Sequence, residues 1–304
     1  MIILYPPAGV YKRDEPIMIP KETVGLSLEA VRGELRCLPG PVVIFNKSHS
    51  GSRLLAELVE EAGVFMGAHK NESRDSLDML ELVRHLVLTY YPDYTALWDN
   101  RAAGDSLLPK LAQDVVERHL QGYPKDQAWG WKLCETVYIL PVVDFLFPQA
   151  RYIHLIRDGR DVAFSDHHAP DEPFWRKVYF NTDRIRSWQG SPLTWKSYRR
   201  QSYIYNALHW ANSVLIGRTY GMMLRDRYLE VRYEDLCLDF ERTAGRLLSF
   251  IGAPNSTQAT ARVRPLVRTD RVHTYLKQPR RKVRKVLALI KPLLLALGYL
   301  EDDL

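Results

Sequence analysis

The chain of 304 residues contains little cysteine and no long run of apolar residues. Its three cysteines, Cys37, Cys134 and Cys237, are an odd number at wide spacing, which argues against a disulfide framework and against paired metal ligands. We therefore interpret them as the reduced thiols of an intracellular protein. The first residues lack the basic start and apolar run of a secretory signal. The most apolar stretch, 286–297, is shorter than the roughly 18–20 residues that span a bilayer. These deficits predict a cytoplasmic protein without a transmembrane span.

Acidic residues are also in deficit relative to basic ones. Lys and Arg number 42 and Asp and Glu 36, so the formal net charge is +6. Such an excess suits a polyanionic partner, whether a nucleotide, a nucleic acid, an acidic glycan or an anionic membrane. No motif of nucleic-acid recognition stands in a suitable structural context, so we expect no nucleic-acid partner. The hydrophobic fraction of 46% is ordinary for a folded globular protein.

Prolines and short apolar runs divide the chain into an arm and one domain. Residues 1–40 are rich in proline and are interpreted as an extended N-terminal arm. Short β-rich runs then alternate with helical segments, which predicts an α/β fold with a parallel central sheet flanked by helices, in one domain at 41–304. Residues 169–198 lack a clear period and are the candidate for an irregular insertion. Strands are predicted at 41–46, 129–133, 151–156 and 228–233, and helices at 53–62, 137–147, 201–225 and 239–251.

A loop suited to phosphate follows the first predicted strand and leads into a helix. The first turn of a helix offers unpaired N–H groups and a partial positive charge, both favourable to an anion. The loop adds a glycine that permits close backbone approach, two hydroxyls and three basic side chains: Gly51, Ser50, Ser52, Lys47, His49 and Arg53. No Lys-Ser/Thr pair follows the glycine, so the loop is not a Walker A motif and an ordinary ATP or GTP enzyme is disfavoured.

A second polar motif, R-D-G-R-D-V-A-F-S at 157–165, follows the third predicted strand. Arg157 ends that strand at the edge where open α/β sheets bind ligands, and Ser165 lies two helical turns further on. Asp158 and Asp161 are placed to cap the helix and to pair with nearby arginines. The motif by itself also allows a second interpretation, a helix start held only by salt bridges.

At these residues the sequence resembles the sulfotransferases that use 3′-phosphoadenosine 5′-phosphosulfate (PAPS). The run 49–53, H-S-G-S-R, resembles the family's 5′-phosphosulfate loop, and 157–165 matches its 3′-phosphate motif throughout. Further similarities are a Gly-x-Lys stretch within 129–132 and a Tyr-Glu-Asp-Leu segment within 231–236. The resemblance spans about 41–300, and the order and spacing of the four motifs make it specific.

The resemblance implies a P-loop NTPase-like sulfotransferase architecture and a reaction. The expected enzyme transfers a sulfuryl group from PAPS to a hydroxyl or amine acceptor by in-line displacement, releases 3′-phosphoadenosine 5′-phosphate (PAP) and uses no metal. His49 stands where the family usually has Lys or Arg, and Arg53 replaces a hydroxyl residue, so Lys47, Arg53 or a protonated His49 would restore the missing cation. The residues expected to bind the donor are Lys47, His49, Ser50, Gly51, Ser52, Arg53, Arg157, Ser165 and Tyr233.

Catalysis requires a cation at the leaving oxygen and a base for the acceptor. Lys132, in the Gly-x-Lys stretch, is the candidate for the cation. Glu72, His49 and Asp75 are the candidates for the base. We expect a small-molecule or glycan acceptor, with a carbohydrate or lipid-linked glycan preferred.

The sequence ends in a basic amphipathic pattern. Residues 280–285 carry five cations, and apolar residues recur at helical spacing through 280–291, which predicts a helix with a solvated basic side. That side is open to a second interpretation, peripheral contact with an anionic membrane or an acidic acceptor. Two functional alternatives also stay open. One is a divergent P-loop nucleotide kinase or transferase that needs Mg²⁺, and the other is a sulfotransferase-like binding protein without activity.

Overall fold

A computed structural model describes most of the chain from residue 38 onward. The predicted arm at 1–40 lies outside the described residues except for its last three positions. The predicted insertion at 169–198 also lies largely outside them. The described ranges are 38–90, 108–124, 127–165, 174–175, 178, 195–253 and 256–300.

Five parallel strands form one sheet in the order β2-β3-β1-β4-β5. The predicted α/β class with a parallel central sheet is confirmed. β1 is buried along its whole length, as expected for a parallel sheet covered on both faces. The four predicted strands are all present, and the two-residue edge strand β2 was not predicted. The strands are β1 Val42–Asn46, β2 Val64–Phe65, β3 Ala128–Lys132, β4 Arg151–Ile156 and β5 Tyr228–Arg232.

Helices connect and cover these strands. The prediction of a single helix at 137–147 was wrong, because a 3₁₀ helix at Cys134–Ile139 precedes an α-helix that begins only at Leu140. Pro141 explains the break, since a residue without an N–H begins an α-helix more easily than it continues one. The α-helices are α1 Ser52–Glu61, α2 Leu77–Tyr90, α3 Leu108–His119, α4 Leu140–Leu146, α5 Gly159–Ala163, α6 Trp195–Leu224, α7 Tyr233–Leu238, α8 Phe240–Ile251, α9 Ser256–Val263 and α10 Arg280–Ala296.

The sheet has a separate hydrophobic core on each face. Along β1, Val43 and Phe45 face the core formed with α2, α3, α4 and α6, while Val42 and Ile44 face the core formed with α1, α8 and α9. This alternation is the two-residue period of a strand. Because β1 lies between β3 and β4, the loops that follow these three strands meet at one edge of the sheet. That edge holds the predicted site residues of all three loops.

The C-terminal helix α10 packs beside the sheet. Its apolar residues Val286, Ile290 and Leu294 are buried against α5 and α6. Pro292 lies inside this helix, which continues without interruption from Arg280 to Ala296. Among the helices in the described ranges, none combines the length and the apolar character needed to cross a membrane.

Candidate active site

The loop that connects β1 to α1 contains two residues with left-handed backbone conformation. His49 and Gly51 both have positive φ, 68° and 86°. A Cβ atom added to Gly51 would lie 2.2 Å from the ring of Tyr233, so the position accepts no side chain without displacement of that ring. The Ser50 hydroxyl donates a hydrogen bond of 2.6 Å to the Lys47 carbonyl and closes the loop. Among the described residues no side-chain hydrogen bond caps α1 at Gly51, so its first N–H groups remain available to an anion.

Lys47 is a buried cation at the base of this loop. Its side chain ammonium donates to the Ser48 hydroxyl at 2.6 Å, and the residue is only 2% exposed. Burial lowers the pKa of Lys47 to about 7, against the opposing effect of the nearby Cys134 and Glu135. An anion bound at the loop would stabilise the protonated form, because an opposite charge favours the charged state.

Arg157 joins the two predicted phosphate motifs. Its guanidinium donates to the His49 carbonyl at 3.2 Å and to the Asp161 carboxylate at 3.2 Å. It also donates to the Arg271 carbonyl at 2.6 Å and lies 4.9 Å above the ring of Tyr233. The Nε–H of Arg157 is buried and has no hydrogen-bond partner among the described residues. A buried guanidinium with an unused donor is suited to an anionic ligand.

The other charged residues of the second motif form hydrogen bonds and ion pairs at the start of α5. Asp158 accepts from the Arg160 backbone N–H at 2.8 Å and pairs with the Arg160 guanidinium at 2.6 Å. The Asp158 N–H in turn donates to Glu234, which also accepts from the hydroxyl of Tyr299. The salt-bridge interpretation therefore describes Asp158 and Arg160. Ser165, the last residue of the motif, donates to the Asp161 carbonyl at 3.0 Å.

A cleft of about 400 Å³ opens beside the first loop. Four of the predicted donor-loop residues line it, as do Lys132 and Asp75. Glu72 is exposed and does not line the cleft, although its neighbours Asn71 and Ser73 do. The lining residues are Asn46, Ser48, His49, Gly51, Ser52, Arg53, Asn71, Ser73, Asp75, Leu80, Arg84, Lys132, Cys134, Glu135 and Trp175.

Lys132 binds the segment 73–75, which borders the cleft. From the end of β3 its ammonium donates to the Asp75 carboxylate and to the Ser73 carbonyl, each at 2.7 Å. The Ser76 hydroxyl accepts from the Lys132 N–H and donates to the Met66 carbonyl. Lys132 therefore reaches the cleft with its charge already paired with Asp75.

Glu135 and Arg84 line the cleft and were not among the predicted site residues. Glu135 is almost fully buried and accepts from the Cys134 thiol at 3.2 Å and from Arg84 at 3.3 Å. Burial raises the pKa of Glu135 above its ordinary value, against hydrogen bonding and the charge of Arg84. The feature of the sequence that could have indicated Glu135 is its position three residues after Lys132, just past the end of a predicted strand. A carboxylate with a raised pKa at a cleft is a candidate acid or base.

A parallel sheet with anion-suited loops at the carboxyl ends of its strands defines a class of α/β proteins that bind phosphorylated ligands. The model of the sulfotransferase family matches residues 46–257, more than half of the chain. The chain therefore belongs to the sulfotransferase family.

Several solved structures are similar to the chain at low sequence identity. A sulfotransferase domain from the curacin biosynthetic pathway is 16% identical, with 84% of this chain and 98% of that chain covered and a TM-score of 0.49. Sulfotransferase STF9 from Mycobacterium avium is 12% identical, with coverages of 92% and 82% and a TM-score of 0.46. Mouse sulfotransferase SULT7A1, solved in complex with PAP, is 13% identical, with coverages of 88% and 89% and a TM-score of 0.47. No curated protein sequence matches the chain significantly.

Proposed function

We propose that the protein is a PAPS-dependent sulfotransferase that moves a sulfuryl group to a hydroxyl or amine acceptor and releases PAP. The observation that carries this proposal is the position of Arg157. It contacts the backbone of the loop after β1, belongs to the motif after β4, and keeps a buried donor without a partner among the described residues. Such a cation can bind one end of a nucleotide whose other end lies at the first loop.

The residues fit the two anionic ends of the donor. The 5′-phosphosulfate would lie at the N-terminus of α1, where Ser50, Gly51 and Ser52 form the turn and Lys47 supplies a buried charge. The 3′-phosphate would contact Arg157 and Ser165. Tyr233 packs against Gly51 and lies beneath Arg157, so it would hold both ends of the donor site in position. His49 and Arg53, which line the cleft, complete the predicted set.

In the proposed reaction the acceptor oxygen or nitrogen forms a bond to sulfur while the bond from sulfur to the bridging phosphate oxygen breaks. The leaving electron pair becomes negative charge on the phosphate of PAP. Lys132 and Lys47, with His49 when it is protonated, would stabilise this charge, the main contribution that a protein makes to such a transfer. The proton of the acceptor passes to a carboxylate at the cleft.

We propose Glu135 as that carboxylate. Glu72 is exposed and does not line the cleft, and Asp75 does so with its charge already paired to Lys132. Glu135 lines the cleft, and burial holds its pKa above the ordinary value, which makes it a stronger proton acceptor than an exposed glutamate. His49 is then assigned to the donor site.

For the acceptor we propose a carbohydrate or lipid-linked glycan. Trp175 is the aromatic residue among the described cleft residues, and its indole packs edge-to-face on Phe174. Aromatic faces of this kind pack well against sugar rings. Screening acceptors with labelled PAPS tests this class directly, and sulfation restricted to non-carbohydrate acceptors would contradict it.

The donor assignment is tested by titration calorimetry with PAP in the absence of added metal. We expect wild-type protein to bind in the micromolar range or tighter. Arg157→Ala should bind at least about 100-fold more weakly, because a charge-assisted bond to a buried cation contributes roughly 3 kcal/mol.

Arg151→Ala is the matched control, since Arg151 begins the same strand that Arg157 follows and its guanidinium donates to the Phe250 carbonyl. It should bind PAP as wild type does. If folded wild-type protein does not bind PAP, or if Arg157→Ala binds equally well, the donor assignment is wrong. ATP and GTP with Mg²⁺ would then be titrated in its place.

A further inference from the structure

The C-terminal part of the chain carries a concentration of positive charge that the proposed reaction does not use. Between residues 271 and 291 there is no Asp or Glu. The same segment contains eight basic residues, Arg271, Lys277, Arg280, Arg281, Lys282, Arg284, Lys285 and Lys291. We define the C-terminal basic face as the exposed residues Leu276, Lys277, Arg280, Arg281, Arg284 and Lys285.

The cations of this face are arranged on one side of a fixed helix. Arg280, Arg281, Arg284 and Lys285 follow the i, i+1, i+4, i+5 spacing that groups side chains on one side of an α-helix. The opposite side of α10 is buried through Val286 and its apolar neighbours against α5 and α6. The packing therefore fixes the direction in which the four cations point.

The charges of this face are not neutralised by the described part of the protein. Within the described residues, Lys277, Arg280, Arg281, Arg284 and Lys285 form no ion pair, whereas most other surface arginines do, as in the pair of Arg262 with Glu61. Five cations on one surface without an ion pair among the described residues create a field that attracts an anionic partner.

The exposed Leu276 favours a membrane over a dissolved anion as the partner of the C-terminal basic face. It lies in the 3₁₀ turn Thr274–Lys277, which two residues separate from the start of α10 at Arg280, and the residue is 72% exposed. A dissolved polyanion makes no use of an exposed leucine. A bilayer accepts both groups, because cations bind its headgroups while an apolar side chain enters the boundary with the acyl chains.

We propose that the C-terminal basic face docks the protein on an anionic lipid bilayer. This inference goes beyond the proposed function and does not depend on sulfuryl transfer. The face begins next to the donor motif, since the Tyr275 N–H donates to the Asp161 carboxylate at 2.8 Å. A test must therefore separate lipid binding from nucleotide binding.

Cosedimentation of the full chain with vesicles tests the proposal. The vesicles contain either phosphatidylcholine alone or about one third phosphatidylserine, which supplies the anionic surface. We expect binding to the anionic vesicles only, and weaker binding as salt rises. Arg281→Glu with Arg284→Glu should lower the partition coefficient more than tenfold, since each cation near such a surface contributes about a fivefold factor. Leu276→Ser should lower it several-fold at any salt concentration.

Lys110→Glu with Arg118→Glu is the matched control, because it makes the same charge change on α3, beside the opposite end of the sheet. It should bind vesicles nearly as wild type does, and far-UV circular dichroism should show all variants folded. Saturating PAP should leave vesicle binding in place. Equal loss in the two double variants, unchanged binding in Arg281→Glu with Arg284→Glu, or release by PAP would each overturn the proposal. Binding of soluble dextran sulfate through these residues without vesicle binding would overturn it as well.

Discussion

At the scale of single residues, the site depends on where burial places charged groups. Arg157 and Lys132 belong to recognisable motifs, so the sequence could identify them as candidates. Glu135 lies in no such motif. Its importance comes from burial just after β3 and from its contact with Arg84, 51 residues away, and neither can be read from the linear sequence. Glu72, one of the three candidate bases predicted from the sequence, is exposed and does not line the cleft, so its role stays a prediction.

Glu135→Gln should abolish proton transfer while leaving the donor site intact. We expect kcat for sulfation of a screened acceptor to fall by about 10²–10⁴, the usual contribution of a general base. The acidic limb of the pH–rate profile should also disappear. PAP affinity by calorimetry should stay within a factor of two or so of wild type, since donor contacts are unchanged.

Glu72→Gln serves as the control for this substitution, as it makes the same chemical change at an exposed position outside the cleft. It should keep a kcat near that of wild type. If Glu72→Gln loses activity and Glu135→Gln retains it, the base is Glu72, one of the three candidates predicted from the sequence. Loss of PAP binding in Glu135→Gln would show instead that Glu135 organises the donor site.

At the scale of elements, short runs identified four strands because each is rich in β-forming residues. β2 was not predicted, because two residues are too few to show the alternating pattern of a strand. The order of the strands could not be predicted, since pairing joins segments that are distant in the chain. That order has a functional consequence. β1 lies between β3 and β4, which brings Lys47, Lys132 and Arg157 to one edge of the sheet.

The contact of α5 with α6 and α10 depends on Gly159. A Cβ atom there would lie 2.5 Å from the ring of Trp210 and 2.7 Å from the Cδ1 of Ile290. We expect Gly159→Ala to lower the free energy of unfolding by about 1–3 kcal/mol, the usual cost of overpacking a core. Urea unfolding measures this change. Arg157 lies two residues away, so PAP binding should weaken as well.

Gly245→Ala is the control, because an added Cβ atom on α8 would meet nothing within 4 Å. That substitution should raise the free energy of unfolding by about 0.5–1 kcal/mol, since alanine favours a helix interior over glycine. If the free energy of unfolding of Gly159→Ala is not lower than that of wild type while Gly245→Ala shows its expected gain, α5 and α10 adapt to the extra atom.

At the scale of the whole molecule, the buried charge of Lys47 links folding, pH and donor binding. The pKa of Lys47 is about 7 in the folded protein and 10.5 ordinarily. Between these values the unfolded chain holds a proton that the folded protein has lost. The free energy of unfolding therefore rises with pH across this window, and this gain is absent below pH 7. A bound anion should restore the pKa toward its ordinary value, so PAP binding at higher pH requires uptake of a proton.

This linkage predicts how PAP changes thermal unfolding. At a fixed PAP concentration, the increase in Tm should be larger at pH 6 than at pH 9, because at pH 9 part of the binding free energy is spent on protonating Lys47. Lys47→Met should make the increase smaller and nearly independent of pH. Lys110→Met, which removes a lysine from α3, should behave as wild type does.

Calorimetry at pH 8 in buffers of different ionisation enthalpy should show proton uptake in wild type and none in Lys47→Met. If the increase in Tm does not depend on pH, or Lys47→Met shows the same dependence as wild type, Lys47 does not exchange a proton with the donor site and its charge is compensated within the protein.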